Sequence, residues 1–142
     1  MDKSNLFQQF VHFTTAVHQV TNDMTKHAKI DDITPVQYKM LEYIYVSQPV
    51  TLSEISDCLH ISLPNSSREL KKLIEKQLCE KVIDDTDRRK SQVRLTLLGT
   101  TKMNEVFQHI EQKFQERISN LSETELEEIE KAIQILNRDI FS

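Results

Sequence analysis

Asn65 and Arg68 stand three residues apart, directly after Ser62-Leu63-Pro64. Both side chains can form paired hydrogen bonds with a planar partner, asparagine with the edge of adenine and arginine with that of guanine. Ser67 between them adds a hydroxyl, and Lys71 and Lys72 follow one helical turn on, with Lys76 beyond. Lysine ammonium groups suit phosphate, which supplies affinity and register but no sequence information. A second cluster, Arg88-Arg89-Lys90, follows Asp87. Residues 68–94 hold nine basic and six acidic side chains, a local charge of +3 in a chain whose formal charge is −4. A basic segment on an acidic scaffold is what a polyanion-binding surface gives; a solvated mixed-charge face gives it too.

Other chemistries find less support. The histidines at 12, 18, 27, 60 and 109 form no HExxH pattern, and there is no Cys-x-x-Cys. Glu105 and His109 stand four apart and could share a helix face, but one such pair is ordinarily a plain polar pair. Cys58 and Cys79 read as small core residues of a reduced chain. A single glycine excludes a Gly-rich phosphate loop, hence P-loop and dinucleotide-binding chemistry. Catalysis lacks any Ser/His/Asp or paired-carboxylate context. Neither a secretion signal nor an apolar run of about 20 residues is present, so a cytoplasmic protein without a membrane partner is expected.

The elements that must position these residues are mostly helical. Over residues 6–24 apolar side chains recur at Leu6, Phe10, Phe13, Val17, Val20 and Met24, one face of a helix. Thr34-Pro35 reads as an N-cap followed by proline at the first helical position, opening a helix over 35–46 that buries Tyr38, Leu41, Ile44 and Tyr45. Thr51-Leu52-Ser53-Glu54 has capping-box spacing and starts a short helix to Leu59, with Leu52, Ile55, Cys58 and Leu59 inward. Ser62 caps the next helix, with Leu63, Leu70, Leu73 and Ile74 inward. Two short helices across so brief a connection are a helix-turn-helix.

The period then changes. Residues 78–83 and 92–96 read as strands, the second with clean alternation, joined by a charged loop: a wing. Helix returns over 96–119 on a stripe of Leu97, Met103, Val106, Phe107, Ile110, Phe114 and Ile118. Ser122-Glu123-Thr124-Glu125 is a further capping box, followed by a narrow seam of Leu126, Ile129, Ile133, Leu136 and Ile140 that suits a helix–helix contact.

These residues carry a family likeness. Asp87-Arg88-Arg89-Lys90-Ser91-Gln92-Val93-Arg94-Leu95-Thr96-Leu97-Leu98-Gly99 resembles the wing signature of the MarR family of winged helix-turn-helix regulators, and the order of elements agrees along the whole chain. The resemblance implies a mainly α fold: a winged helix-turn-helix over 35–98, with a helical dimerisation lobe built from an N-terminal helix (1–34) and C-terminal helices (99–142). It implies a homodimer binding double-stranded DNA at a palindromic operator, a repressor released by a ligand or other signal, with no cofactor. Pro64, Asn65, Ser67 and Arg68 would face base edges at the start of the recognition helix, with Lys71 and Lys72 on phosphate. The resemblance assigns Arg89 to the minor groove, Arg88 and Lys90 to phosphate, and Asp87 to bracing the wing. A small aromatic effector is a further candidate partner, near Phe10, Phe13, Val17, His18 and Tyr38, although those side chains read more simply as core. The rival reading is a winged-helix module docking an acidic protein. Two departures from the family pattern stand out: Gln77 where glycine is common after the recognition helix, and Ser66 where an apolar residue is usual.

Overall fold

The structure, a computed structural model, describes residues 1–83 and 91–142. Its elements run α1 (Lys3–Thr25), α2 (Pro35–Ser47), β1 (Val50–Thr51), α3 (Leu52–Leu59), α4 (Leu63–Glu75), β2 (Cys79–Ile83), β3 (Ser91–Leu95), α5 (Leu97–Ile118) and α6 (Glu123–Asp139). The helix starts follow from local chemistry. Thr34, Thr51, Ser62, Thr96 and Ser122 each sit in extended backbone and accept a hydrogen bond from the amide three residues on. That removes one of the donors every helix start leaves unpaired. The Ser122 box is reciprocal. At Thr51 only the forward half forms, because the Glu54 carboxylate lies against the Thr51 hydroxyl at 3.1 Å.

The sheet has the order β1-β3-β2 and is antiparallel throughout, with Val50 opposite Val93 and Glu80 opposite Arg94. β1 was not expected. It is only two residues long, and Gln48 beside it accepts a 2.9 Å hydrogen bond from the Leu95 amide through its Oε1. The core gathers Met40, Leu41 and Ile44 of α2, Ile55 of α3, Leu70 and Leu73 of α4, Val93 of β3 and Met103 of α5. Tyr45 fastens α5 to α2, stacking on Phe107 at 4.8 Å and donating to Asn104 Oδ1 at 2.7 Å.

Several inward assignments fail. Cys58 is exposed, and Ser56 takes the buried place on α3. Leu63 and Leu97 are 49% and 85% exposed, each the first residue of its helix with no preceding turn to lie against. Tyr38 and Tyr45 are half-buried, whereas Met40 and Gln37 are buried. The supposed N-terminal core also fails: α1 and α6 contain no buried residue, Phe13, Val17 and His18 are exposed, and Phe10 is only half-buried. Phe141 lies on Phe10 with ring centroids 5.9 Å apart. No helix among the described residues is long and apolar enough to cross a membrane.

Candidate nucleic-acid interface

Helix α4 is held from behind and open in front. Ser66, Leu70 and Leu73 are buried. Pro64, Asn65, Ser67, Arg68, Lys71 and Lys72 are all exposed. Four of these six positions, Pro64, Asn65, Ser67 and Arg68, fall in the first two turns, so one polar surface begins at the helix N-terminus. Ser62 Oγ accepts from the Asn65 amide at 3.2 Å, which fixes the first turn while leaving the Asn65 side chain outside. Lys72 makes a 3.4 Å contact with Glu69, a surface pair of little energetic weight. Lys76, exposed at the C-cap of α4, donates from Nζ to the Asp32 carbonyl.

The two helices meet at His60, the C-cap of α3, in left-handed backbone (φ 54°). Ser56 Oγ donates to the Ile61 carbonyl across that turn at 2.5 Å, which accounts for a buried serine on α3. Behind α4, Gln37 of α2 donates through Nε2 to Glu69 Oε2 at 2.9 Å. This bond above all holds the Glu69 carboxyl below its usual range; burial opposes it, and Lys72 and Arg68 add to the lowering. Sequence reasoning missed Gln37, although Thr34-x-x-Gln37 has capping-box spacing and forms a full reciprocal box.

A groove of about 850 Å³ runs between α4, the start of α3 and the sheet, lined in part by Ser53, Ser67, Lys71 and Lys81. On the wing strands Arg94 Nε pairs with Glu80 at 2.8 Å, so that arginine is already engaged. Asp87, Arg88, Arg89 and Lys90 lie outside the described residues, between the end of β2 and the start of β3.

The remaining candidate chemistry stays apart. Among the described residues no three His, Cys, Asp or Glu side chains come together as metal ligands. Burial pushes the Cys79 thiol up to about 12, so it stays protonated. A cavity of about 260 Å³ lies where α1 gives way to α2, walled by Ala28, Ile30, Ile33, Thr34, Pro35 and Tyr38. Burial, with the neighbouring Glu42, pushes the Tyr38 phenol up to about 12.

A helix-turn-helix with an exposed polar recognition surface, followed by a two-stranded hairpin with a basic tip in the sequence, defines the winged-helix class of DNA-binding proteins. The model of the MarR family matches residues 33–91, the stretch from the end of the α1–α2 connector to the start of β3, so the chain is similar to regulators of that family over its winged helix-turn-helix. The HTH-type transcriptional regulator MhqR of Bacillus subtilis is 27% identical over 129 residues, spanning 91% of this chain and 87% of that protein. Among solved structures, a MarR family protein from Bacillus stearothermophilus superposes with a TM-score of 0.82 at 15% identity, covering 100% of this chain and 99% of that one. A transcriptional regulator of Thermotoga maritima gives 0.76 at 21% identity, covering 95% and 99%. Staphylococcus aureus MepR bound to ethidium bromide gives 0.65 at 24% identity, covering 99% and 97%.

Proposed function

We propose that this chain is a homodimeric, sequence-specific repressor that occupies a palindromic operator in the cytoplasm and leaves it when a small ligand binds. The observation that carries the reading is the exposed first two turns of α4, where Asn65, Ser67 and Arg68 stand outside a helix whose other face is fully packed. Asn65 and Arg68 read base edges, Pro64 and Ser67 shape the approach, and Lys71 and Lys72 take phosphate. Arg89 enters the minor groove, whose narrow A·T-rich stretches attract arginine. Arg88 and Lys90 neutralise phosphate, and Asp87 braces the wing.

The dimer is supported by the uncovered apolar side chains of α1 and α6, among them Phe7, Phe13, Val17, Ile129 and Ile133. Surface of this kind on one chain marks a contact with another. Two recognition helices held at a fixed distance demand half-sites about one helical turn apart. A ligand that changes this distance lowers affinity by preferring the other spacing. The apolar cavity between α1 and α2 suits a small aromatic effector, and one related regulator of this fold, MepR, has been solved with ethidium bromide.

The test is selection of binding sites from random duplex DNA by the purified chain. A two-fold symmetric site is expected, with affinity falling against salt at a log–log slope of about −0.9 per phosphate neutralised. On the selected duplex, Arg89→Ala costs about 1–3 kcal/mol with the fold intact. Enrichment of no sequence, or a flat salt dependence, removes the DNA-reading function.

A further inference from the structure

We propose that the connector between α1 and α2, together with the first turn of α2, sets the pose of the recognition helix, with Asp32 and Gln37 as positioning residues whose displacement erases base discrimination. The inference rests on the reading of α4 given above and adds what controls it.

Two hydrogen bonds tie α4 to this stretch. Gln37 Nε2 donates to Glu69 Oε2 at 2.9 Å, and Lys76 Nζ donates to the Asp32 carbonyl. Glu69 and Lys76 are seven residues apart, so they lie on one side of the helix about 10 Å from each other along its axis. Two anchors on one side fix both the rotation and the tilt of a rod. Neither bond includes a side chain of the Asn65–Arg68 face, although Glu69 also meets the exposed Lys72 at 3.4 Å, so the pose of the helix can change while the base-reading side chains keep their identity.

The anchors are also tied to each other. Gln37 is 3% exposed, and its Oε1 accepts from the Thr34 amide at 3.2 Å while its Nε2 holds Glu69. Asp32 sits in left-handed backbone (φ 63°), an uncommon state for a non-glycine residue. A shift of residues 32–34 therefore reaches α4 through both contacts. The same stretch has room to move, because Ile33, Thr34 and Pro35 border the cavity of about 260 Å³. A hydrogen bond to a charged group is among the stronger ones, and breaking this part-buried bond leaves the buried Gln37 amide unpaired, so the coupling is stiff.

A charge-exchange pair tests this. Gln37→Glu keeps an acceptor for the Thr34 amide but meets Glu69 with a second carboxylate and no donor. Glu69→Gln alone keeps an acceptor for Gln37. In the double variant Gln37→Glu/Glu69→Gln, the new amide donates to the new carboxylate and the bond returns reversed. For each, affinity is measured on the selected duplex and on a scrambled duplex of equal length, below the unfolding transition. Gln37→Glu is expected to lose about tenfold on the selected duplex and little on the scrambled one. Glu69→Gln is expected to keep the ratio and the double variant to restore it.

Equal losses on both duplexes would show a merely structural bond, and an unchanged ratio would show no coupling; either overturns the proposal. Should Gln37→Glu not fold, Lys76→Met breaks the exposed anchor. The lost charge weakens both duplexes alike, and a further fall on the selected duplex alone is then expected. A wild-type chain that selects no duplex would overturn the base-reading role of α4 itself. Selection by the wild type with an unchanged variant ratio would overturn only the connector's part.

Discussion

A Cβ placed on Gly99 would lie 2.1 Å from the carbonyl oxygen of Leu78. The obstacle is backbone, and the same carbonyl accepts from the Thr96 amide at 3.1 Å, so it cannot swing aside cheaply. The first turn of α5 is thereby pressed onto the chain that enters β2. This explains why the single glycine of the sequence stands here, in a helix, where it carries an intrinsic cost of about 1 kcal/mol. Gly99→Ala is expected to destabilise the fold by about 1–3 kcal/mol through overpacking, despite alanine's better helix propensity. Urea unfolding checks it: a gain in stability would mean that α5 and β2 separate easily.

Gln77 occupies a place that geometry reserves for glycine. Its φ is 63°, its amide donates to the Ile74 carbonyl at 2.9 Å, and the Leu78 amide donates to the Leu73 carbonyl at 3.0 Å. That pair of bonds is a Schellman ending to α4, with Gln77 as the left-handed residue. Left-handed backbone costs a residue with a Cβ about 1–2 kcal/mol, partly offset by the lower unfolded entropy of a non-glycine chain. Gln77→Gly is therefore expected to stabilise by about 0.5–1 kcal/mol, read as a higher urea midpoint at constant slope. A lower midpoint would show that the glutamine side chain contributes more than its backbone costs.

Ser66 is fully buried on the inner face of α4, and its Oγ finds no hydrogen-bond partner among the described residues. Burying a hydroxyl without a partner costs about 1–3 kcal/mol on mutational scales. Ser66→Ala removes the cost and leaves little void. It is expected to raise stability by about 1 kcal/mol and to leave the exposed face of α4, and hence DNA affinity, as it was. Calorimetry and a binding titration on the same sample separate the two effects. A fall in melting temperature would reveal that the hydroxyl is satisfied.

The helices were legible from a 3.6-residue apolar stripe, joined at Thr34, Thr51, Ser62 and Ser122 by a capping residue, two signals that are local. Gln77 stood out only against the family pattern, which commonly has glycine after the recognition helix. β1 was not, because two residues have no period and exist as strand only through Val93 and Gln92 opposite them. Cys58 was misplaced because its spacing from Ile55 fits a stripe. The packed stripe is Leu52, Ile55, Ser56 and Leu59, which leaves Cys58 roughly a third of a turn aside. Ser56 could be recognised as inward only once its bond to Ile61 existed. On the site, the exposed turn of α4 followed from Ser62 and the stripe behind it. The anchors Gln37–Glu69 and Asp32–Lys76 did not, since they join residues 32 and 44 apart in the chain. The sequence seam on α6 was correctly periodic, yet one chain alone leaves it uncovered.

That seam supplies the last prediction. Ile129 and Ile133 are 39% and 51% exposed on a helix with no buried residue, and Ile140, its C-cap, is 53% exposed. Covering the half of each isoleucine that one chain leaves exposed is worth about 1 kcal/mol, and two-fold symmetry counts every contact twice. Their exposure in one chain is the association surface that the proposed dimer would cover. Ile133→Glu puts a charge into the middle of that surface and, by symmetry, a second beside it. Since the side chain is half exposed in the single chain, the winged lobe keeps its fold. The variant is expected to sediment as a monomer of 16.7 kDa where the wild type sediments at twice that mass. Losing the fixed spacing between recognition helices, it should bind the selected duplex no better than a scrambled one, while its helical circular dichroism is retained. An unchanged dimer with wild-type discrimination would place the association surface away from α6.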